Sequence, residues 1–199
     1  MTRIDPDDLD GSLYRTLAGA VIPRPIAWVS SLSPEGVANL APYSFFNVVS
    51  TAPPVVMFAP TDRSERPEGL SDSARNALDT EEFVVNVVTE PLAEAMNATS
   101  ATLPPEESEF DHAGLERAAS EAVAPPRVAA AEVAFECELY ESIDIGSNTM
   151  VLGEVVSVYL DEGVTTDGKL DVEKLDAVGR LSGSYYCRTD GRFRMERPE

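Results

Sequence analysis

The chain has 199 residues, 43% of them hydrophobic, enough to bury a core in one large domain spanning residues 1–199. It carries 35 Asp and Glu against 15 Lys and Arg, a formal net charge of −20 at pH 7. That balance repels nucleic acid, and no apolar run reaches membrane-spanning length, so neither partner is expected.

The elements follow in chain order. RPIAWVSS (24–31) reads as a strand, and SPEG (33–36) has the Pro and Gly placement of a type I turn. Residues 37–41 return as the second strand of a hairpin, and PPVVMFAP (53–60) is a short apolar strand between prolines. LSDSARNALDT (70–80) predicts a helix capped by Ser71 or Asp72. EFVVNVV (82–88) is a strand, and TEPLAEAMNATS (89–100) a helix with Thr89 as cap and Pro91 in its first turn. Residues 89–127 form a helical and loop excursion. VAFECELYE (133–141) alternates, with Val133, Phe135, Cys137 and Leu139 on one face and Glu136 and Glu138 on the other. MVLGEVVSVYL (150–160) is a longer strand whose Gly153 marks a bulge. VTTDGKLDVEKL (164–175) reads as a loop leading to a short helix, and GSYYCR (183–188) as the last strand. Many closely spaced strands with few helices give a mainly β fold, a β-barrel with flanking helices.

Only Lys169 and Lys174 are lysines; the remaining cations are arginines. Like charge at this density opposes compactness, and salt screens it. We read the composition as halophilic, suited to a salty cytoplasm. The N-terminal MTRIDPDDLDGSLYR lacks the apolar stretch of a signal peptide, which fits a cytoplasmic location. Cys137, Cys187 and His112 are too few for a Cys/His zinc site, and no metal is expected. Cys137 suits a buried small hydrophobe. A Ser–His–Asp hydrolase would have to use His112, and no GxSxG surrounds a serine. A Rossmann site is excluded by the lack of GxGxxG.

Between Leu13 and Pro60 the chain holds one acid, Glu35, and two arginines, Arg15 and Arg24. The polar residues kept there are Ser30, Ser31, Asn39, Ser44 and Asn47, neutral donors and acceptors suited to a ligand that carboxylates would repel. The helix opening at SDSARN (71–76) adds free N–H groups and a positive dipole end, which favour phosphate, with Ser71, Ser73 and Arg75 beside them.

These residues carry a family resemblance. RPIAWVSSLSPEGVANLAPYSFFNVVSTAPPVVMF (24–58) resembles the flavin reductase-like family with the FMN-binding split-barrel fold of Greek-key type, especially its flavoredoxin branch. Later EFVVNVV, EAMNATS, EF…GL and RLSGSYY occur in matching order, so the resemblance runs from about Leu13 to Cys187. It implies a homodimer with an FMN in each of two clefts between subunits. It places Ser30, Ser31 and the run Asn39, Leu40, Ala41, Pro42, Tyr43 and Ser44 along the flavin and its ribityl chain. Ser71, Asp72 and Ser73 stand where the family has Lys-Asp-Thr at the phosphate, so a lysine is missing. Arg24, Arg63 and Arg75 are the candidates to replace its charge, and Arg180 and Tyr185 are implied near the site.

The implied function is an FMN-dependent oxidoreductase of flavin reductase or flavoredoxin type. Electrons pass from NADH or NADPH as co-substrate, through FMN, to a small-molecule or protein acceptor such as free flavin or ferric chelate. Hydride transfer requires no side-chain acid or base, so no catalytic residue is assigned. The alternative is a non-catalytic FMN-binding or electron-transfer protein. If the acidity is a salt adaptation, the midpoint of thermal unfolding will rise between 0.1 and about 2 M KCl as repulsion is screened. A midpoint that stays flat or falls removes that reading.

Overall fold

In the computed structural model, which describes residues 3–6, 13–63 and 66–198, the SPEG turn closes a hairpin. Residues 1–2 and 7–12 of the N-terminal stretch discussed above lie outside the described residues. The Gly36 N–H donates to Ser33 O at 2.8 Å, and Gly36 takes φ +85°, which glycine adopts at little cost. The turn joins β1 (Ala27–Leu32) to β2 (Ala38–Tyr43), with Leu32 opposite Ala38 and Ala27 opposite Tyr43. Before them lies α1 (Tyr14–Ala20). After them come β3 (Phe46–Thr51) and β4 (Pro54–Phe58), α2 (Asp72–Thr80) and β5 (Glu82–Val87). An excursion holds α3 (Ala93–Ala98), α4 (Glu109–His112), β6 (Arg117–Ala118) and β7 (Arg127–Val128). The long strands β8 (Val133–Ile145) and β9 (Asn148–Leu160) follow.

Seven strands make one antiparallel sheet in the order β2-β1-β5-β8-β9-β4-β3. Its curl brings Val29, Phe58, Phe83, Cys137 and Val151 from different strands into one core, closed by Ala74 and Ala77 of α2. The second core lies on the other face, where Trp28 and Leu40 meet Met96 of α3, Phe110 of α4 and Val128 of β7. Strands covered on both faces explain why β1 is buried along nearly its whole length. No helix among the described residues is long and apolar enough to cross a membrane.

Several local expectations change. β3 was not foreseen; it runs along the sheet edge with Val48 and Val49 facing outward. Thr89 makes no side-chain cap, and residues 90–92 form a 3-10 turn before α3 starts at Ala93. The short helix expected near 171–175 does not form. Residues 164–175 instead hold a small hairpin of β10 (Thr165–Thr166) and β11 (Lys169–Leu170). Asp167 and Gly168 both take positive φ at its tip, the conformation that an Asp-Gly pair favours in a two-residue hairpin. The chain ends its ordered pairing with β12 (Val178–Arg180) against β13 (Tyr186–Arg188).

Gly153 is not itself the bulge. It pairs with Leu139, and the next pair joins Leu152 to Glu141, so Tyr140 is the extra residue on β8. The glycine is there for space. A Cβ on it would lie 2.3 Å from Phe83 Cζ and 2.9 Å from Cys137 Cβ. Gly153→Ala should therefore destabilise by about 1–3 kcal/mol in denaturant unfolding, and the cost should shrink in a Phe83→Leu background. An equal cost in both backgrounds would show that the Phe83 ring is not the obstacle.

Candidate functional site

The site is built where β2 ends against the start of α2. Ser71 caps α2, its Oγ accepting from the Ala74 N–H at 3.3 Å, which leaves the first N–H groups of the helix unbonded within it. From β2, Asn39, Ala41, Pro42 and Tyr43 form one wall of a cleft. Ser71, Asp72 and Ser73 form the second wall, with Arg63 and Arg66 from the preceding loop. The segment after α3, residues 99–103, and Glu109 of α4 complete it. A second hollow adjoins it, with Ser44, Ile26, Met96, Asn97, Arg180 and Tyr186 around it. Pro42 and Ser100 border both, so the two make one groove.

Buried polar contacts hold these walls. Trp28, fully buried, donates through Nε1 to Thr99 Oγ1 at 2.9 Å, and Thr99 in turn donates to Met96 O. That fixes the end of α3 and with it the 99–103 segment. Glu109 is 6% exposed; its Oε2 accepts from Asn39 Nδ2 at 2.9 Å and from the Leu40 N–H at 3.0 Å. Ser73 Oγ donates to Asn39 Oδ1 at 2.7 Å, and Tyr43 Oη donates to Ser73 Oγ at 3.0 Å. Burial pushes the Glu109 carboxyl above its ordinary value, against the pull of its hydrogen bonds from Leu40, its own backbone and Asn39. Burial likewise pushes the Tyr43 phenol up. Cys137 is a free thiol deep in the core and burial pushes it up too, so it remains a small hydrophobe.

The cations divide into separate roles. Arg66 pairs with Asp72 Oδ2 at 3.0 Å and donates to Leu103 O at 2.7 Å. Arg63 donates to Thr102 Oγ1 at 2.9 Å and forms no ion pair among the described residues. Arg180 lies with its guanidinium 4.5 Å from the centroid of the Tyr186 ring and donates to the Tyr186 hydroxyl.

Of the residues expected at a ligand, the structure gathers Asn39, Ala41, Pro42, Tyr43, Ser44, Ser71, Asp72, Ser73 and Arg180 along this groove. It does not bring the side chains of six others there. Ser30 is buried and donates to Pro126 O under the excursion. Ser31 is buried on the opposite face and accepts from Asn76 Nδ2 of α2 at 3.1 Å. Leu40 is fully buried in the second core. Arg24 is 6% exposed, its guanidinium taken up by the carbonyls of Ala18, Val21 and Leu181 and the hydroxyl of Ser44. Arg75 lies on the other side of Asp72, in a hollow with Asp79, Glu106 and Glu107 that meets the groove only at Asn39, Asp72 and Glu109. Tyr185 is 75% exposed and its neighbour Tyr186 borders the groove instead. Thr99, Ser100 and Glu109 were not singled out from the sequence. The polar end of EAMNATS and the acid in ESEFDHAGL were the signals available for them.

Residues 18–175 match the flavin reductase like domain. The chain belongs to the flavin reductase-like family. Nitrilotriacetate monooxygenase component B from Bacillus cereus is 34% identical and superposes with a TM-score of 0.92, covering 98% of each chain. The 2-nitrobenzoate 2-nitroreductase of Pseudomonas fluorescens is 36% identical, with a TM-score of 0.89 over 99% of this chain and 96% of that one. The flavoredoxin of Desulfovibrio vulgaris shares the fold at 21% identity, with a TM-score of 0.77 over 88% and 91% of the two chains. The fold is thus the split barrel of flavin reductases, and the family's chemistry is flavin-related oxidoreduction.

The raised Glu109 carboxyl has a consequence for stability. Its folded-state value lies above the unfolded one, so its contribution is full below the ordinary value of 4.5 and is lost as pH rises through the folded value. Glu109→Gln, which cannot ionise, should gain stability relative to wild type progressively as pH rises from about 4.5 towards neutrality. Thermal unfolding of the two proteins across that range checks it; a difference that does not change with pH contradicts the sign.

Proposed function

We propose that this protein is an FMN-dependent oxidoreductase that passes electrons from NADH or NADPH to a second acceptor, a small molecule or a protein. The observation that carries this reading is the groove itself. One end offers arginines and the N–H groups at the start of α2. The other offers Pro42, Tyr186 and Met96 as packing surfaces, with Ser44, Asn97 and Arg180 at their edges. A phosphate fits the first and a flat ring with polar edges fits the second. Membership in the flavin reductase-like family supports the assignment. Of the structures named above, one is a monooxygenase component and one a nitroreductase by name, and flavoredoxin resemblance enters through the shared fold.

The donor set fits a phosphate despite two nearby carboxylates. Asp72 is turned to Arg66 and Arg75, and Glu109 is engaged by Asn39 and Leu40. Arg63 is therefore the cation we assign to the phosphate in place of the family's lysine. Ser71 and Ser73 hold α2 in place beside it, and Arg180, fixed by Tyr186, would border the ring. When bound, FMN supplies the redox chemistry, accepting hydride from the nicotinamide and releasing electrons to the acceptor. The chain binds, orients and shields it.

A homodimer belongs to the same proposal. Tyr14 and Leu17 of α1, Phe45, and Val48 and Val49 of the edge strand β3 are all exposed, an apolar surface on an unpaired edge. Tyr140, Ile143 and Ile145 expose a second one along β8. A second copy covering them would remove both liabilities. The acid excess fits a salt-rich cytoplasm in the same sense, through screening.

Adding FMN to purified protein should shift the flavin spectrum, and anaerobic NADH or NADPH should bleach it rapidly. Sedimentation equilibrium should give twice the chain mass. Arg63→Ala should weaken FMN about 10–100-fold and riboflavin, which lacks the phosphate, far less. No spectral shift would overturn the FMN reading, and a shift without bleaching would leave a non-catalytic flavin carrier.

A further inference from the structure

The hydrogen bonds between Glu109 and the groove have forced directions. As a carboxylate, Glu109 offers only lone pairs, and its Oε2 takes the Leu40 N–H. Asn39 must turn Nδ2 to the same oxygen, which leaves Oδ1 for Ser73. Ser73 has one proton and gives it to Asn39 Oδ1 at 2.7 Å, so its oxygen can only accept from Tyr43. Tyr43 has then committed its own proton to Ser73 at 3.0 Å. What Tyr43 presents to the groove is a lone pair.

We propose that Glu109 is a positioning residue of the groove: acting through Asn39 and Ser73, it makes Tyr43 an acceptor, which takes a hydroxyl or N–H of the ligand and not a phosphate oxygen. The identity of that ligand rests on the FMN reading, in which the ribityl hydroxyls are donors of the required class. The anion is then left to Arg63 and to the N–H groups opening α2. The relay also joins three parts of the chain. Asn39 and Tyr43 come from β2, Ser73 from α2 and Glu109 from α4. Its polarity is set at Glu109, the end of the relay opposite Tyr43.

Two measurements test this. In flavin-free protein labelled with ¹³C at tyrosine Cζ, the Tyr43 signal is assigned by its loss in Tyr43→Phe. Glu109→Gln keeps an acceptor at the Oε2 position and should leave that signal in place. Glu109→Leu removes the acceptor, frees Ser73 to donate to the phenol, and should move it. Asn39→Ala breaks the relay without stranding the Leu40 N–H and should move it likewise, which covers the case that the leucine variant does not fold. Equal shifts in the Gln and relay-breaking variants, or none in either, overturn the relay. In binding titrations, Tyr43→Phe should weaken FMN and riboflavin by the same factor, about 3–10-fold. Weakening of FMN alone would place Tyr43 on the phosphate and overturn the assignment. A wild-type protein that binds neither flavin refutes the FMN reading, and the tyrosine signals still decide on the relay.

Discussion

A carboxylate taken out of water has to be met by donors, and this requirement ties the excursion of the chain to its barrel. Left bare, such a group costs several kcal/mol. Glu109 meets it with the Asn39 amide and the Leu40 N–H of β2, and Glu136 meets it with the N–H groups of Glu121 and Ala122. One bond set joins α4 to the sheet, and the other lays the 121–122 segment over β8. Both pairs span parts of the sequence that no local preference would bring together. The groove exists because the excursion is held this way: its outer wall, the 99–103 segment, has Trp28 and Glu109 fastening the chain on either side of it.

This explains which elements could be read from the chain alone. The β1–β2 hairpin, β4, β5, α2 and the start of β8 are declared by turn residues, alternation and a cap, all of which are local. β3 is not, because Val48 and Val49 point outward and break the alternation that a buried strand shows. The DVEKL stretch has helix-forming residues, yet the neighbouring Asp-Gly pair turns the chain into the β10–β11 hairpin first. Glu136 was correctly placed opposite Cys137 across β8, but alternation cannot tell that this face is covered at Glu136 while Glu138 stays exposed.

The neutral polar residues near the start of the chain illustrate the same limit at the site. Ser30 and Ser31 sit side by side on β1, and a strand covered on one face would expose one of them. Here both are at 0% exposure, because the excursion covers Ser30 and α2 covers Ser31. Their hydroxyls serve packing, as does that of Thr99 under Trp28. Asn39 lies on the next strand with a similar composition around it, yet its amide reaches the groove wall. An acid-poor segment marked the region correctly while leaving open which of its polar groups face inward, since that depends on layers contributed from residues 71–77 and 104–128.

Under the proposed FMN reading, the missing phosphate lysine is a question of the same spatial kind. What an anion needs is a cation at one place, and the chain can deliver it from more than one sequence position. Arg24 lies closest to the flavin motif in sequence, but four acceptors bind its guanidinium and tie α1 to the turn after β12. Arg75 sits one turn into α2, where the helix carries it to the far side of Asp72. Arg66 is held by Asp72 on the near side, which cancels the one acid of the helix start. Arg63 remains, placed by a neutral hydroxyl and so with its charge uncompensated by any carboxylate among the described residues. In a protein of net charge −20, an arginine beside a helix N-terminus that no carboxylate pairs among the described residues is a distinct feature of the potential. That cation and the proposed acceptor face of Tyr43 share one end of the groove, and the surfaces of Met96 and Tyr186 lie at the other, which makes its two ends chemically different.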